Sequence, residues 1–334
     1  MACDRFYRYN LLLLLKAFTT MQLVRCLQDL KKLQSGSVVT IGNFDGLHLG
    51  HQVILEHVKA QAKILNVPSV VIIFEPQPKE FFVPDAATIR LTRLREKLEL
   101  FRDNAIDFVL CLHFNQNFSK LTAEDFIKKI LVDALHIKHI EVGDDFLFGA
   151  KRAGNFTMLE EAGKEFGFSV KDAKTVFLDG ERISSTRVRN ALLVDDLDLA
   201  ERLLGRPFQL SGRVIQGQQL ARKLGCPTAN IQLKRKQAPL KGVFVVSCEL
   251  DGKVYCGVAN IGIRPTVKGD GNSHLEVHLL DFSGDLYKRH IRVTFHQKLR
   301  DEKKFNSLDE LKAAIDKDVT NARAYWHARG LLNC

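Results

Sequence analysis

Residues 38–51, Val38-Val-Thr-Ile-Gly-Asn-Phe-Asp-Gly-Leu-His-Leu-Gly-His51, decide how the chain is read. A short β-branched run ends at Gly42, turns through Asp45-Gly46, and delivers His48 and His51 just as an apolar helical spacing begins. Two histidines three residues apart share one face of a first helical turn. The backbone N–H groups there lack partners and the helix dipole is positive, so a phosphate binds well. A lone H-x-x-H is more often a pair of solvated histidines. The strand and the Gly-Asn-Phe-Asp-Gly turn before it reverse that weighting, and a nucleoside triphosphate suits the arrangement.

Outward from this junction, short apolar runs alternate with helical patterns as far as Leu204. Strands are expected at Val38–Ile41, Val70–Phe74, Ile106–Leu112, His139–Val142 and Ser169–Phe177, and helices at Gly50–Leu65, Arg93–Arg102, Ala123–Leu135, Asn155–Phe166 and Thr186–Leu193. Such alternation implies a mostly parallel sheet with helices on both faces. Ligands in these sheets bind beyond the carboxyl ends of the strands. The loops Gly42–His51, Glu75–Pro78 and Gly143–Gly149 all follow predicted strands at that end. After Gly205-Arg-Pro207 the pattern becomes strands separated by turns: Phe208–Ile215, Val243–Leu250, Lys253–Ile261, Leu275–Phe282 and Ile291–Phe295. The turns Asp251-Gly252 and Ser283-Gly284 favour antiparallel pairing. A helix over Ser307–Ala328 closes what reads as a small β-barrel.

The chain has 334 residues, 46% of them hydrophobic and 26% charged, enough for two ordinary globular domains. Its net charge of +10 is uneven: residues 1–210 hold 28 basic and 27 acidic side chains, residues 211–334 hold 21 and 12. No aromatic-interleaved basic ribbon or base-reading module accompanies that charge, so nucleic acid is not expected as a partner. The seven cysteines are scattered without C-x-x-C or zinc spacing, which suits reduced thiols in the cytoplasm. Leu11–Leu15 is far short of the ~20 apolar residues that span a bilayer, and no small-x-small cleavage site follows it. Residues 1–20 are expected to be a disordered extension or a mis-assigned start, with the functional chain beginning at Met21. Both a monomer and a homo-oligomer are compatible with the composition.

A second motif, Ile183-Ser-Ser-Thr-Arg-Val-Arg189, puts capping residues Ser184, Ser185 and Thr186 before a helix, with Arg189 one turn inside to fork onto phosphate oxygens. By itself it could be a plain capping box. With H-x-G-H upstream it is similar to the nucleotidyltransferase superfamily. Four segments, Gly42–His51, Phe74-Glu-Pro-Gln-Pro78, Gly143-Asp-Asp-Phe-Leu-Phe-Gly149 and Ile183–Arg189, resemble the adenylyltransferase half of the bifunctional riboflavin kinase/FAD synthetase family. The fold this resemblance implies is a Rossmann-like α/β nucleotidyltransferase domain over residues 21–206, then an antiparallel β-barrel domain with a C-terminal helix over 207–334.

The chemistry it implies is in-line attack of the FMN phosphate on the α-phosphorus of ATP, with pyrophosphate leaving. His48 and His51 would donate hydrogen bonds to the developing charge; Arg189 and Mg²⁺ would take the pyrophosphate. The resemblance also gives Gly42, Phe44, Gly50, Ser184, Ser185 and Thr186 to ATP, and Glu75 and Asp145 to the flavin. Glu75 and Gln77 stand where the family often has Asp and His. Asp145 stands where some members have Asn, and Leu147 where Arg is frequent, so no contact is carried over to Leu147.

Residues 212–231 form a glycine-punctuated loop running into Pro227-Thr-Ala-Asn230, and resemble the riboflavin kinase half. Ala221 replaces a usual glycine and Cys226 a usual aromatic. Thr228 and Asn230 offer hard oxygens suited to Mg²⁺ and phosphate; alone, the tetrapeptide could be a β-edge turn. Gly212, Gly217, Arg222 and Gly225 are expected to bind ATP. Further matches run over Gly257–Thr266, Leu275–Phe282 and Leu299–Phe305 as far as Asp318. The resemblance makes Glu276 the base that takes the proton of the riboflavin 5′-hydroxyl, and puts Arg300 beside the flavin.

Phe81 and Phe82 fit either stacking on a flavin or adenine or core packing. His136 and His139 read as solvated, Trp326 as a docking residue, and Lys234-Arg-Lys236 as a solvated loop. Two rivals are another H-x-G-H nucleotidyltransferase, acting on a pantetheine or nicotinamide phosphate, and a flavin- or RNA-binding regulator without chemistry. The first leaves residues 208–334 unexplained; the second has no need of His48, His51, Thr228, Asn230 and Glu276 together.

Overall fold

The computed structural model describes residues 21–84, 89–143, 145–216, 226–235, 237–263 and 273–330. The expectations for residues 1–20 and for Gly217, Ala221, Arg222 and Gly225 lie outside these. The chain forms two compact units. One holds the described residues before 85 together with Lys97–Phe177, and the other holds Ile89–Glu96 with the described residues from Leu178 onward.

The first unit is built on β1 (Gln22–Val24), β2 (Ser37–Ile41), β3 (Ser69–Glu75), β4 (Phe108–His113), β5 (Ile137–Gly143) and β6 (Ser169–Ala173). All pair in parallel, in the spatial order β1-β4-β3-β2-β5-β6. Every residue of β2 is buried, as a parallel strand covered on both faces requires. Alternate side chains go to opposite faces. Val38 packs with Val58 and Ala62 of helix α1 (Leu49–Leu65). Val39 and Ile41 join the larger core with Phe126, Ile127, Ile130 and Leu131. Helix α1 stops at Asn66, whose left-handed backbone (φ 51°) returns its N–H to Ala62 and Lys63, a common αL cap. Helices α2 (Pro78–Phe82), α3 (Leu94–Asp103), α4 and α5 (Phe156–Phe166) complete the layers. Helix α4 begins as Ala123–Asp125 and continues in π form over Phe126–Ala134.

The predicted strand Ser169–Phe177 divides. Its first half is β6, and its last residue starts a hairpin of β7 (Phe177–Leu178) and β8 (Glu181–Arg182). Asp179 and Gly180 turn that hairpin with φ of 53° and 79°, the geometry a tight two-residue turn demands. His139 is also not solvated: it is buried and bonded through Nδ1 to Ser169 Oγ at 2.7 Å.

In the second unit, α6 (Ser185–Leu193) and α7 (Leu197–Leu204) precede a closed antiparallel barrel. Its strands are β9 (Gln209–Ile215), β10 (Ala229–Gln232), β11 (Gly242–Leu250), β12 (Lys253–Ile263), β13 (Ser273–Leu279) and β14 (His290–Arg300), in the order β10-β13-β12-β11-β14-β9. Strand β10 was not expected; it is the sixth strand, and pairing with β9 closes the ring. Phe244, Ala259, Leu275 and Val277 are buried, and Phe244 meets Phe295 edge-on at 5.5 Å. On the outer face Val243, Val245, Cys256 and Val258 take Ala322 and Trp326 of α8 (Leu308–His327). Trp326 is thus the docking residue its position suggested.

Residues 89–96 are held to the barrel by a buried carboxylate. Glu96 accepts from the Ser211 backbone N–H at 2.9 Å and from Arg235 Nη2 at 2.8 Å. Arg235 also donates to the Arg90 carbonyl. The expected solvated loop Lys234-Arg-Lys236 is corrected at its centre: Arg235 is 8% exposed, because Glu96 supplies the counter-charge that lets a guanidinium be buried.

Candidate functional site

Strand order reverses beside β2: β3 and β4 lie to one side, β5 and β6 to the other. In an open α/β sheet this switch point leaves a crevice beyond the strand ends. The turn after β2 and the loop after β5 both start there, and they carry Gly42–His51 and Asp145–Gly149. The turn is tightly wound. Phe44, Gly46 and Leu47 have φ of 47°, 81° and 44°, and Phe44 and Leu47 are fully buried. A Cβ on Gly42 would stand 3.1 Å from the Phe44 ring.

His48 is the N-cap of α1. Its Nδ1 accepts the backbone N–H of His51 at 3.3 Å, so in the neutral ring the proton sits on Nε2, which is left as a donor. The His48 and His51 rings stack at 3.7 Å, and Phe44 covers His51 at 4.9 Å. His51 Nδ1 is buried with no partner among the described residues. Burial first, then His48, then Lys97 hold the His51 imidazole well below its ordinary pKa, so it is neutral at pH 7. A neutral His51 stacked on His48 at the N-terminus of α1 can present a hydrogen-bond donor to an anion. Gly50 is the second residue of α1.

Glu75 ends β3 half-buried, with its carbonyl taking the Phe114 N–H at 3.2 Å. Gln77 caps α2 by a reciprocal capping box with Glu80. Phe74, Phe81, Phe82, Phe114 and Phe118 form a connected set of edge-on and tilted rings, with Phe82 62% exposed. Phe82 therefore presents an aromatic face to solvent, which a purely core residue would not do. In the loop after β5, Asp145 is exposed, Phe146 and Phe148 stack at 5.4 Å, and Leu147 is 44% exposed.

In the second unit Ser184 caps α6, its Oγ accepting the Arg187 N–H at 3.2 Å. Ser185 is the first helical residue and Thr186 is exposed. Arg189 donates Nε–H to the Ile89 carbonyl at 2.7 Å, which orients its guanidinium. Arg187 serves the hairpin instead, donating to the carbonyls of Leu178 and Glu181.

On the barrel, register gathers the kinase candidates. Asn230 lies opposite Glu276, Glu276 opposite Asn260, Asn260 opposite Val243, and Val243 opposite Arg300. Paired residues share a face, so these form one row around the outside. Strand β13 shows the sense of it: Leu275 and Val277 are buried and Glu276 half-buried. Thr228 directly precedes β10. Gly212 lies inside β9, where a Cβ would stand 2.5 Å from the Gln232 carbonyl oxygen, so its lack of a side chain permits the β9–β10 approach. Arg300 grips the buried Asp318 of α8 through Nε and Nη2 and lies over the Phe305 ring. Asn260 and Glu302 escaped the sequence reading. Asn260 Oδ1 is buried without a partner among the described residues, and the Glu302 carboxylate fills the space a Cβ on Gly262 would need. An asparagine inside an otherwise apolar strand was the available signal.

The fold and the histidine-bearing turn define the first unit as nucleotidyltransferase-like, joined in one chain to a six-stranded flavokinase-type barrel. The FAD synthetase family model matches residues 30–187 and the riboflavin kinase model residues 204–326. A bifunctional riboflavin kinase/FMN adenylyltransferase of Pseudomonas fluorescens is 58% identical over 304 residues, covering 91% of this chain and 97% of that one. The protein so named in Escherichia coli K12 is 50% identical over 308 residues, covering 92% and 98%. A crystal structure titled as a macrolide-efflux protein from Streptococcus pneumoniae aligns with a TM-score of 0.77 at 29% identity, over 91% of this chain and 98% of that one. The chain belongs to the bifunctional riboflavin kinase/FMN adenylyltransferase family. No described helix is long and apolar enough to cross a membrane.

Proposed function

We propose that the chain phosphorylates riboflavin to FMN with ATP on the barrel, and adenylylates FMN to FAD with a second ATP in the α/β unit, releasing pyrophosphate. The observation that carries this reading is that one chain matches both family models while its two stacked histidines stand at a sheet switch point. The functional boundary falls near residue 206.

For adenylyl transfer, the FMN phosphate oxygen attacks the α-phosphorus in line and the bond to pyrophosphate breaks. The protein's part is alignment and charge stabilisation. His48 Nε2–H and His51 act as donors to the α-phosphate oxygens, on backbone supplied by Gly42, Phe44 and Gly50. By motif, Ser184, Ser185, Thr186 and Arg189 serve the polyphosphate, and Glu75 and Asp145 the flavin, with Phe81 and Phe82 available for stacking.

For kinase chemistry, Glu276 takes the 5′-hydroxyl proton as that oxygen attacks the γ-phosphorus. Arg300, latched by Asp318, borders the flavin. Gly212, Gly217, Arg222 and Gly225 serve ATP by motif. Among the described residues no three His, Cys, Asp or Glu side chains could together hold a metal ion. Mg²⁺ held chiefly by nucleotide phosphates and water would need only one or two protein oxygens, which Thr228 and Asn230 would supply, Asn230 lying opposite Glu276. When bound, Mg²⁺ neutralises charge on the phosphates.

Chromatography of flavins after incubation with riboflavin, ATP and Mg²⁺ tests the reading. FMN followed by FAD is expected. His51→Ala should cut FAD formation by ~10²–10³-fold with FMN formation intact, and Glu276→Gln should do the reverse. No turnover in either step would favour the binding-protein alternative.

A further inference from the structure

Helix α3 backs the histidine turn with a buried charge. Lys97 is 1% exposed, among the largest fully buried side chains of the protein, and its Nζ donates to the Asn43 carbonyl at 2.5 Å. One turn further along α3, the buried Phe101 meets the Phe44 ring edge-on at 5.5 Å. Phe44 in turn covers His51, which stacks on His48. Lysine is rarely fully buried, because its ammonium gives up hydration that few protein groups replace. A helix that only had to prop the turn would do so with methionine or leucine. A cation at this place calls for a reason in the chemistry beside it.

We propose that Lys97 is a positioning residue for nucleotidyl transfer: anchored on the Asn43 carbonyl, its ammonium fixes the turn that presents His48 and His51 and sets a positive field behind the two imidazoles. This rests on the adenylyltransferase reading above. The field favours a polyanion in front of the histidines and opposes a proton on His51, which therefore faces the phosphate as a neutral donor. The groups acting on His51 are His48, in its own turn of α1, and Lys97 on α3; the turn's own acid, Asp45, is buried. Lys97 lies within the charged run Arg95-Glu-Lys-Leu-Glu99 and belongs to none of the motifs that point to nucleotide chemistry.

The test uses the full chain with Lys97→Met, which keeps length and removes charge, and Lys97→Gln, which keeps a donor and removes charge. Rates of FAD formation from FMN and ATP are measured across pH, with riboflavin phosphorylation in the same samples as a control. The His51 imidazole is titrated by NMR of histidine-labelled protein, assigned with His51→Gln. Lys97→Met is expected to lower kcat for FAD formation by ~10²-fold, with both KM values near wild type and riboflavin phosphorylation unchanged. The acid limb of the residual activity and the His51 midpoint should both move to higher pH. Lys97→Gln should recover part of kcat but keep the shifted acid limb.

Wild-type kcat in Lys97→Met, or a loss with unmoved acid limb and midpoint, overturns the proposal; the second result would make Lys97 a packing residue. If neither variant folds, the wild-type titration decides, since a His51 midpoint at or above the ordinary value of about 6.5 is incompatible with the proposed field. A wild-type chain that makes no FAD would instead sink the adenylyltransferase reading itself.

Discussion

Replacing Glu96 by alanine should weaken the barrel-containing unit, although residue 96 lies more than a hundred positions before the first barrel strand. The Glu96 carboxylate accepts from Ser211 N–H at 2.9 Å, Arg235 Nη2 at 2.8 Å and Arg93 N–H at 2.7 Å, with Ser211 Oγ at 3.3 Å. The side chains of Glu96 and Arg235 are 9% and 5% exposed. Truncating one partner of such a buried pair leaves the other charge uncompensated and costs about 3–5 kcal/mol, a large share of the ~5–15 kcal/mol that stabilises a domain. The chain has a single tryptophan, Trp326, buried between α8 and the barrel, so its fluorescence reports this unit alone. With a urea slope of about 2 kcal/mol per molar, the Trp326 midpoint should fall by roughly 2 M. Glu96→Leu combined with Arg235→Met should recover most of that loss, because the penalty lies in the orphaned guanidinium and not in the missing ion pair. A Glu96→Ala midpoint within about 0.3 M of wild type, or a double variant no better than the single, would refute the reasoning.

Acidification should weaken the same unit through His296. Burial first, and Arg329 second, lower its pKa to about 4, and it bonds Ser247 Oγ at 2.8 Å. The folded ring stays neutral while the unfolded chain takes up a proton near pH ~6.5. Its stabilisation is therefore complete above that pH, is lost as pH falls toward the folded value, and totals at most about 3 kcal/mol. His296→Gln should flatten the pH dependence of the Trp326 midpoint between those limits; an unchanged slope would count against it. Gly212→Ala places a Cβ 2.5 Å from the Gln232 carbonyl oxygen and 2.6 Å from Ile231 Cγ2. Strands β9 and β10 must part, at about 1–3 kcal/mol, and riboflavin phosphorylation should drop because β10 carries Asn230, proposed above to face Mg²⁺. Full activity with an unshifted midpoint would show that the strands tolerate the methyl group.

The parallel α/β sheet and the antiparallel barrel were legible because they rest on periodicity, and the histidine turn because its glycines and flanking strand are local. Loops that follow the strands of a parallel sheet lie at its carboxyl edge, so the expectation that Gly42–His51, Glu75–Pro78 and Gly143–Gly149 lie at one edge followed from the predicted alternation. What escaped depends on contacts distant in sequence. Four residues behind Pro227 carry little strand signal, so β10 emerges only through pairing with β9 and β13. Arg235 reads as a surface residue among lysines until Glu96, 139 positions away, is set against it. Lys97 sits in a run of alternating charges that describes a solvated helix equally well. Asn260 needed the register of β12 against β13 before it could be seen beside Glu276.

The outer row of the barrel has a consequence for how such a chain can change over generations. Along β13, Glu276 faces outward between Leu275 and Val277, which are 0% and 1% exposed. A slip of that strand by one residue would exchange them, burying a carboxylate and exposing two apolar side chains at once. Under the role proposed for Glu276, chemistry and pairing are coupled: keeping the acid on the outer face also keeps the strand in step. The apolar pair Leu275 and Val277, which never meets solvent, thereby guards the placement of a carboxylate that does.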